Sequence, residues 1–201
     1  MNKLTTPAPD YSDTSRYSYH VDQAWYGTLT EFTEAFAQDW PASEPETLHR
    51  VQTFLTQEAR LIDEGRFNHW LELFTPDSVY WVPVLPGGPG PDTVLSHAFD
   101  DFRRLSDRVY WLRTGLAFSQ LPASRTRRLI SNVEVLTGTA EDPILVRSNF
   151  VVTEFRAGVT KIYSGWYGHV LVPTEEGLAI RVKQANLLDS EQGHENLTLV
   201  L

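Results

Sequence analysis

Ile144–Arg156 (ILVRSNFVVTEFR) and Lys161–Val172 (KIYSGWYGHVLV), joined across Ala157-Gly158, are the segments whose reading decides the fold. Both are dense in Val, Ile, Tyr and Phe, which suit an extended backbone. The connection between them is too short for a crossover, so they pair as antiparallel neighbours. Arg127–Thr137 before them and Leu178–Asp189 after them have the same character, set off by the turn clusters Gly138–Pro143 and Thr174–Gly177. Four long strands in meander order are therefore expected.

Upstream the period changes from two to about 3.6 residues. Ser43-Glu44-Pro45-Glu46 has the arrangement of a capping box with proline in the first turn. Leu48, Val51, Leu55, Ala59 and Ile62, joined by Phe54 and Leu61, then form an apolar stripe that Gly65 ends. A shorter helix carries Phe67, Trp70, Leu71 and Phe74 and is expected to stop at Thr75-Pro76-Asp77. Ser78–Val84 (SVYWVPV) is apolar on both sides and predicts a strand covered on two faces; Leu85–Pro91, with three glycines and three prolines, is a loop. A third helix is predicted from Asp100 to Thr114, with Phe102, Leu105, Val109 and Leu112 inward and Gly115 after its end. Helices first and strands later make an α+β pattern, a curved sheet over a helical layer. Residues 47–201 are read as one domain and residues 1–46 as an arm preceding it.

The chain has 201 residues, 41% of them hydrophobic, and no cysteine. At this length one core buries roughly 70% of the unfolded surface. The missing cysteines exclude disulfides, thiolate zinc sites and cysteine-held iron–sulfur clusters, a Rieske cluster included. The net charge is −9, and residues 1–46 hold two basic against eight acidic side chains. That arm also carries Tyr11, Tyr17, Tyr19, Trp25, Tyr26, Phe32, Phe36 and Trp40, so it packs either on its own domain or on a neighbour. So acidic a chain is not expected to bind nucleic acid. The longest uncharged stretch, Ser78–Pro91, is 14 residues and broken by prolines, too short to span a bilayer. With no apolar signal region in Met1–Asp10, a cytoplasmic protein is expected.

Residues able to do chemistry are sparse. The histidines stand at 20, 49, 69, 97, 169 and 194, without the close spacing of a helical metal motif. Gly87-Gly88-Pro89-Gly90 lacks the Lys-Ser/Thr of a phosphate cradle. His97 with Asp100 and Asp101, or Asp63 with Tyr80 and Tyr110, is the available acid–base set, as in an isomerase or dehydratase. Helix capping accounts for the aspartate pair without chemistry and is the preferred reading. Arg103, Arg104, Arg108, Arg113, Arg125, Arg127 and Arg128 place seven cations over 26 residues beside the single acid Asp107. Arginine forks favour carboxylates and protein contacts, so subunit contact is the preferred reading; an anion site or a solvated face is the alternative.

These residues also carry a resemblance. Glu58-Ala59-Arg60-Leu61-Ile62-Asp63, Arg66-Phe67, Trp70-Leu71, Leu73-Phe74 and Tyr80-Trp81-Val82-Pro83 resemble the first block of the small (beta) subunits of aromatic-ring-hydroxylating dioxygenases. Arg113-Thr114-Gly115, Pro122, Ser124–Val133, Val146–Phe150, Leu187-Leu188-Asp189 and the apolar Leu197–Leu201 continue it in order. The resemblance implies a cone-shaped, cystatin-like fold of the scytalone dehydratase and ketosteroid isomerase type. It implies a structural role in aromatic-compound catabolism, with no catalytic residue, cofactor or metal in this chain. It also implies a partner, a large alpha subunit with a Rieske cluster and a mononuclear iron, in a three-plus-three hexamer with beta–beta contacts. Arg103, Arg104, Arg108, Arg125, Arg127 and Arg128 become candidate subunit contacts. The arm is longer than the resemblance leads one to expect, and Trp166 and His169 stand where many relatives have an arginine and an aspartate.

Overall fold

A computed structural model of the chain describes residues 23–201 apart from 86, 88, 89, 92, 115–120, 138–141, 194–196 and 198. Its elements are α1 (Gln23–Phe36), α2 (Pro45–Asp63), α3 (Phe67–Leu71), β1 (Phe74–Pro83), β2 (Ser96–Asp101), α4 (Phe102–Thr114), β3 (Arg125–Leu136), β4 (Ile144–Arg156), β5 (Val159–Thr174) and β6 (Gly177–Leu187). The arm before residue 23, Gly115 and most of the expected turn at Gly138 lie outside the described residues.

The six strands form one bent sheet in the order β2-β1-β6-β5-β4-β3. From β3 to β6 the chain runs as the expected antiparallel meander, with Val151 opposite Leu129 on one side and Ser164 on the other. β1 then lies parallel to β6 and antiparallel to β2. α2, α3 and α4 fill the concave face. Val51, Leu55, Leu61 and Ile62 of α2 meet Leu105 and Val109 of α4 and the inward residues Phe150, Tyr167, Leu171 and Ala185.

A second core lies on the convex face. Trp25, Leu29 and Phe36 of α1 cover Val79, Trp81, Val170 and Val182. β1 is therefore apolar on both sides because Tyr80 and Val82 face one core and Val79 and Trp81 the other. The acidic, aromatic segment thus packs, over α1, on its own sheet. The Phe36 ring sits where Gly168 has no side chain; a Cβ there would stand 2.6 Å from the ring. Arg147 donates to the Phe36 carbonyl at 2.8 Å and lies over Trp166, its guanidinium 4.9 Å from the ring centre.

Three local expectations are corrected. Ser43 does not cap α2, because its hydroxyl donates to the Val135 carbonyl (2.7 Å) and accepts from the Val135 N–H (3.2 Å), fastening the approach to α2 onto β3. Glu44 takes the cap position without a side-chain bond. Phe74 and Thr75-Pro76-Asp77 belong to β1 rather than ending a helix. Pro76 falls in the register shift between Phe74 and Val79, where a missing N–H is tolerated, and the Thr75 hydroxyl donates to Asp77. Asp100 lies in a strand, β2, which pairs along one side only and carries the charged residues of a sheet edge.

Gly168→Ala forces a methyl group against the Phe36 ring. The expected outcome is a loss of about 1–3 kcal/mol in urea unfolding, with faster proteolysis between α1 and α2. A variant as stable and resistant as the parent would contradict this packing.

Candidate functional site

The stripe of α2 that faces the sheet contains one carboxylate. Glu58 is 3% exposed and sits one turn from Leu55 and Ile62 on the same helical face. Its Oε1 accepts Lys183 Nζ at 2.6 Å and Trp70 Nε1 at 3.1 Å, and its Oε2 faces His169 Nε2 at 3.2 Å. Lys183 (1% exposed) and His169 (0%) come from the inward faces of β6 and β5. The Lys183 ammonium also lies 4.6 Å from the centre of the Tyr167 ring.

Burial pushes the Glu58 carboxyl up, but Lys183, His169 and their hydrogen bonds outweigh it and hold the group below the usual carboxylate range. Burial pushes both His169 and Lys183 down, against the pull of Glu58. Glu58 is thus ionised opposite Lys183. His169 is neutral, with the Nε2 proton assigned from its carboxylate partner, while Nδ1 has no hydrogen-bond partner.

Nearer the mouth of the cone, Asp63 at the end of α2 accepts the Thr126 hydroxyl (2.7 Å), the Arg128 backbone N–H (2.8 Å) and the Arg128 guanidinium. Arg128 also donates to the Val200 carbonyl, and the Tyr80 hydroxyl accepts from Leu201 N–H at 3.1 Å. The Arg108 guanidinium lies 5.8 Å from the centre of the Tyr80 ring and pairs with Asp100 at 2.7 Å. Burial raises the Tyr80 hydroxyl above its ordinary range, so it stays protonated. Trp70, Tyr80, Phe150, Tyr167 and Leu199–Leu201 occupy the interior, all of them buried.

The acid–base set is not assembled. Exposed His97 bonds through Nε2 to the Ser190 carbonyl at 2.7 Å. Asp100 is turned inward to Arg108, whereas Asp101 caps α4 by accepting Arg104 N–H at 2.8 Å. Adjacent strand residues point to opposite faces, which separates the two aspartates. Asp63 is taken up by Thr126 and Arg128, while Tyr80 faces inward and Tyr110 is exposed on α4. None of these carboxylates stands open beside an imidazole.

The arginines divide. Arg128 points inward: its side chain is buried against Asp63 and ties β3 to α2 and to Val200. Arg108 likewise spends its charge on Asp100. Arg103, Arg104, Arg125 and Arg127 remain exposed. Glu58 and Lys183 were not singled out from sequence, although a carboxylate inside an apolar helical stripe is itself a signal. Among the described residues no group of three His, Cys, Asp or Glu could hold a metal ion.

The family described as "Ring hydroxylating beta subunit" matches residues 57–191. The small oxygenase component of the p-cumate 2,3-dioxygenase system of Pseudomonas putida is 35% identical over 158 residues, 77% of this chain and 87% of that protein. The 2-halobenzoate 1,2-dioxygenase small subunit of Burkholderia cepacia is 32% identical over 143 residues, 68% of this chain and 86% of that one. In fold, a chain of naphthalene 1,2-dioxygenase with indole bound superposes with a TM-score of 0.71 at 17% identity, covering 92% of this chain and 100% of that one.

Two outcomes follow from the buried cluster. Lys183→Met leaves Glu58 charged and unpaired, at an expected cost of about 3–5 kcal/mol. The double variant Glu58→Gln with Lys183→Met keeps an acceptor for Trp70 and should come within about 2 kcal/mol of the parent. Equal urea midpoints for the single and double variants would refute the ion pair. His169, with its folded pKa lowered, binds a proton more readily when unfolded, so stability falls as pH drops below about 6.5, by up to about 1.4 kcal/mol per unit. Glu58 adds to the loss only below its unfolded pKa, about 4.3, and Lys183 adds no slope while it stays charged in both states. A urea midpoint that is flat from pH 7 to 5 would contradict a neutral, buried His169.

Proposed function

The chain belongs to the ring-hydroxylating beta-subunit family, and on that premise we propose that it works as the structural small subunit of an aromatic-ring dioxygenase. Its large alpha partner holds a Rieske cluster and a mononuclear iron and adds dioxygen to an aromatic substrate. The residues of this chain fit neither group: it has no cysteine, and no three His or carboxylate side chains converge among the described residues. The observation that carries the structural role is the interior of the cone. Both oxygens of Glu58 are bonded within the protein, Asp63 is bonded to Thr126 and Arg128, and Trp70, Tyr80, Phe150 and Tyr167 are buried around them.

A three-plus-three hexamer asks each small subunit for at least two different faces, one toward the large subunit and one toward further copies. Two exposed faces have the composition of such contacts. On α4, Arg103, Arg104 and Arg113 surround the exposed pair Tyr110 and Trp111. On the convex side of β3, β4 and β5, Leu129, Val151, Phe155 and Ile162 form an apolar row next to Arg125 and Arg127. The Arg125 guanidinium lies 4.8 Å from the centre of the Phe155 ring. Trp, Tyr and Arg carry most of the energy in protein contacts. β3 is also one of the sheet's two outer strands, its edge engaged by Ser43 at Val135 and by Asp63 at Arg128.

Co-expression with a large subunit of such a dioxygenase should yield one hetero-oligomer by sizing, with the iron in the large subunit. Trp111→Ala and Leu129→Asp should each leave the circular dichroism unchanged. Each should weaken assembly at least tenfold, about 1.4 kcal/mol. Iron bound by the isolated 201-residue chain, or turnover without a partner, would overturn the reading.

A further inference from the structure

We infer that the mouth of the cone is a peptide-binding site and that Leu199–Leu201 is its separable occupant, a stopper over the polar interior. All three residues are buried, yet none belongs to a helix or strand. Side chains of the framework grip their backbone: Arg128 donates to the Val200 carbonyl, and the Tyr80 hydroxyl accepts from Leu201 N–H at 3.1 Å. Their apolar side chains join the concave core. Main-chain hydrogen bonds combined with apolar pockets are the means by which proteins hold extended peptides.

The receptor is built without the segment. Asp63, itself bonded to Thr126, fixes Arg128; Trp70 meets the Tyr80 ring edge-on at 6.1 Å, and Arg108, paired with Asp100, lies over the same ring. Such groups stay in place when the segment leaves, which favours its return. A cavity of about 140 Å³ beside Leu199 and Val200, walled by Ile62, Phe67 and Leu112, leaves room for movement. In the same interior, His169 Nδ1 is buried without a hydrogen-bond partner. Buried polar atoms of this kind accept water readily. Departure of the stopper therefore wets the interior, and Lys183, within electrostatic reach of Arg128 and Asp63, is the group that reports it.

The test is amine acylation read residue by residue by mass spectrometry, with half-buried Lys161 as the internal reference. Full-length chain and a variant lacking residues 199–201 are each co-expressed with the large subunit and assayed in whatever assembly they form. Sizing reports that assembly separately, so failure of the proposed function is not confused with failure of the stopper. The expected result is a tenfold or greater rise in Lys183 labelling, relative to Lys161, in the shortened chain. The free pentapeptide of residues 197–201 at millimolar concentration should reverse it, and the same peptide with aspartate in place of Val200 and Leu201 should not. Lys183 that stays protected without the segment, or reactive under saturating peptide, overturns the inference. If the shortened chain is not recovered folded, Tyr80→Phe in the full-length chain decides: a severalfold rise in Lys183 labelling supports the stopper, and unchanged labelling refutes it.

Discussion

The contact on which the rest of the structure depends is the Glu58 carboxylate at the floor of the cone. One side chain there receives Lys183 from β6, His169 from β5 and the Trp70 indole from α3, while it belongs itself to α2. A charge this deep is tolerated only when its opposite charge and its hydrogen bonds are all present. The four elements must therefore arrive together. That requirement makes the pair a poor source of raw stability and a strong source of uniqueness: an α2 rotated by one residue would carry the carboxylate away from its cation.

The convex face answers a different need. A sheet with one covered side would expose Val79, Trp81, Val170 and Val182 as an apolar patch, and α1 removes it from water. Trp166 joins this layer, its ring 6.1 Å from Phe36 and under Arg147. His169 looks the opposite way into the Glu58 cluster. The two side chains thus serve two cores, one on each side of β5, and Gly168 between them gives Phe36 its place.

The parts legible in the sequence were those fixed by local pattern. Ile144–Arg156 has the same limits in the structure as in the expectation, because a two-residue turn and an uninterrupted alternation leave no choice. The covered strand at Tyr80 and Trp81 was likewise visible, since only burial on two faces explains so apolar a run. What escaped depends on partners distant in sequence. Ser43 looks like a cap until Val135, 92 residues on, takes its hydroxyl. β2 is short, polar and paired on one side, so its alternation is too weak to read. Glu58 and Lys183 are 125 residues apart, and neither announces the other.

The same distinction sorts the arginines, and it decides which of them can report on assembly. Charge clustering between residues 103 and 128 treats the cations alike, but burial does not. Arg128 and Arg108 have their carboxylates within the chain, so reversing either charge would place two anions together and unfold the mouth of the cone, whatever the neighbouring subunit does. Arg103, Arg104, Arg125 and Arg127 carry no comparable internal obligation: Arg103 pairs with Asp107 at 3.8 Å in solvent, and Arg127 reaches backbone carbonyls only. Exposed pairs of that kind contribute little to stability. Within the chain, the charges beside Trp111 on one face and Leu129 on another therefore hold little together.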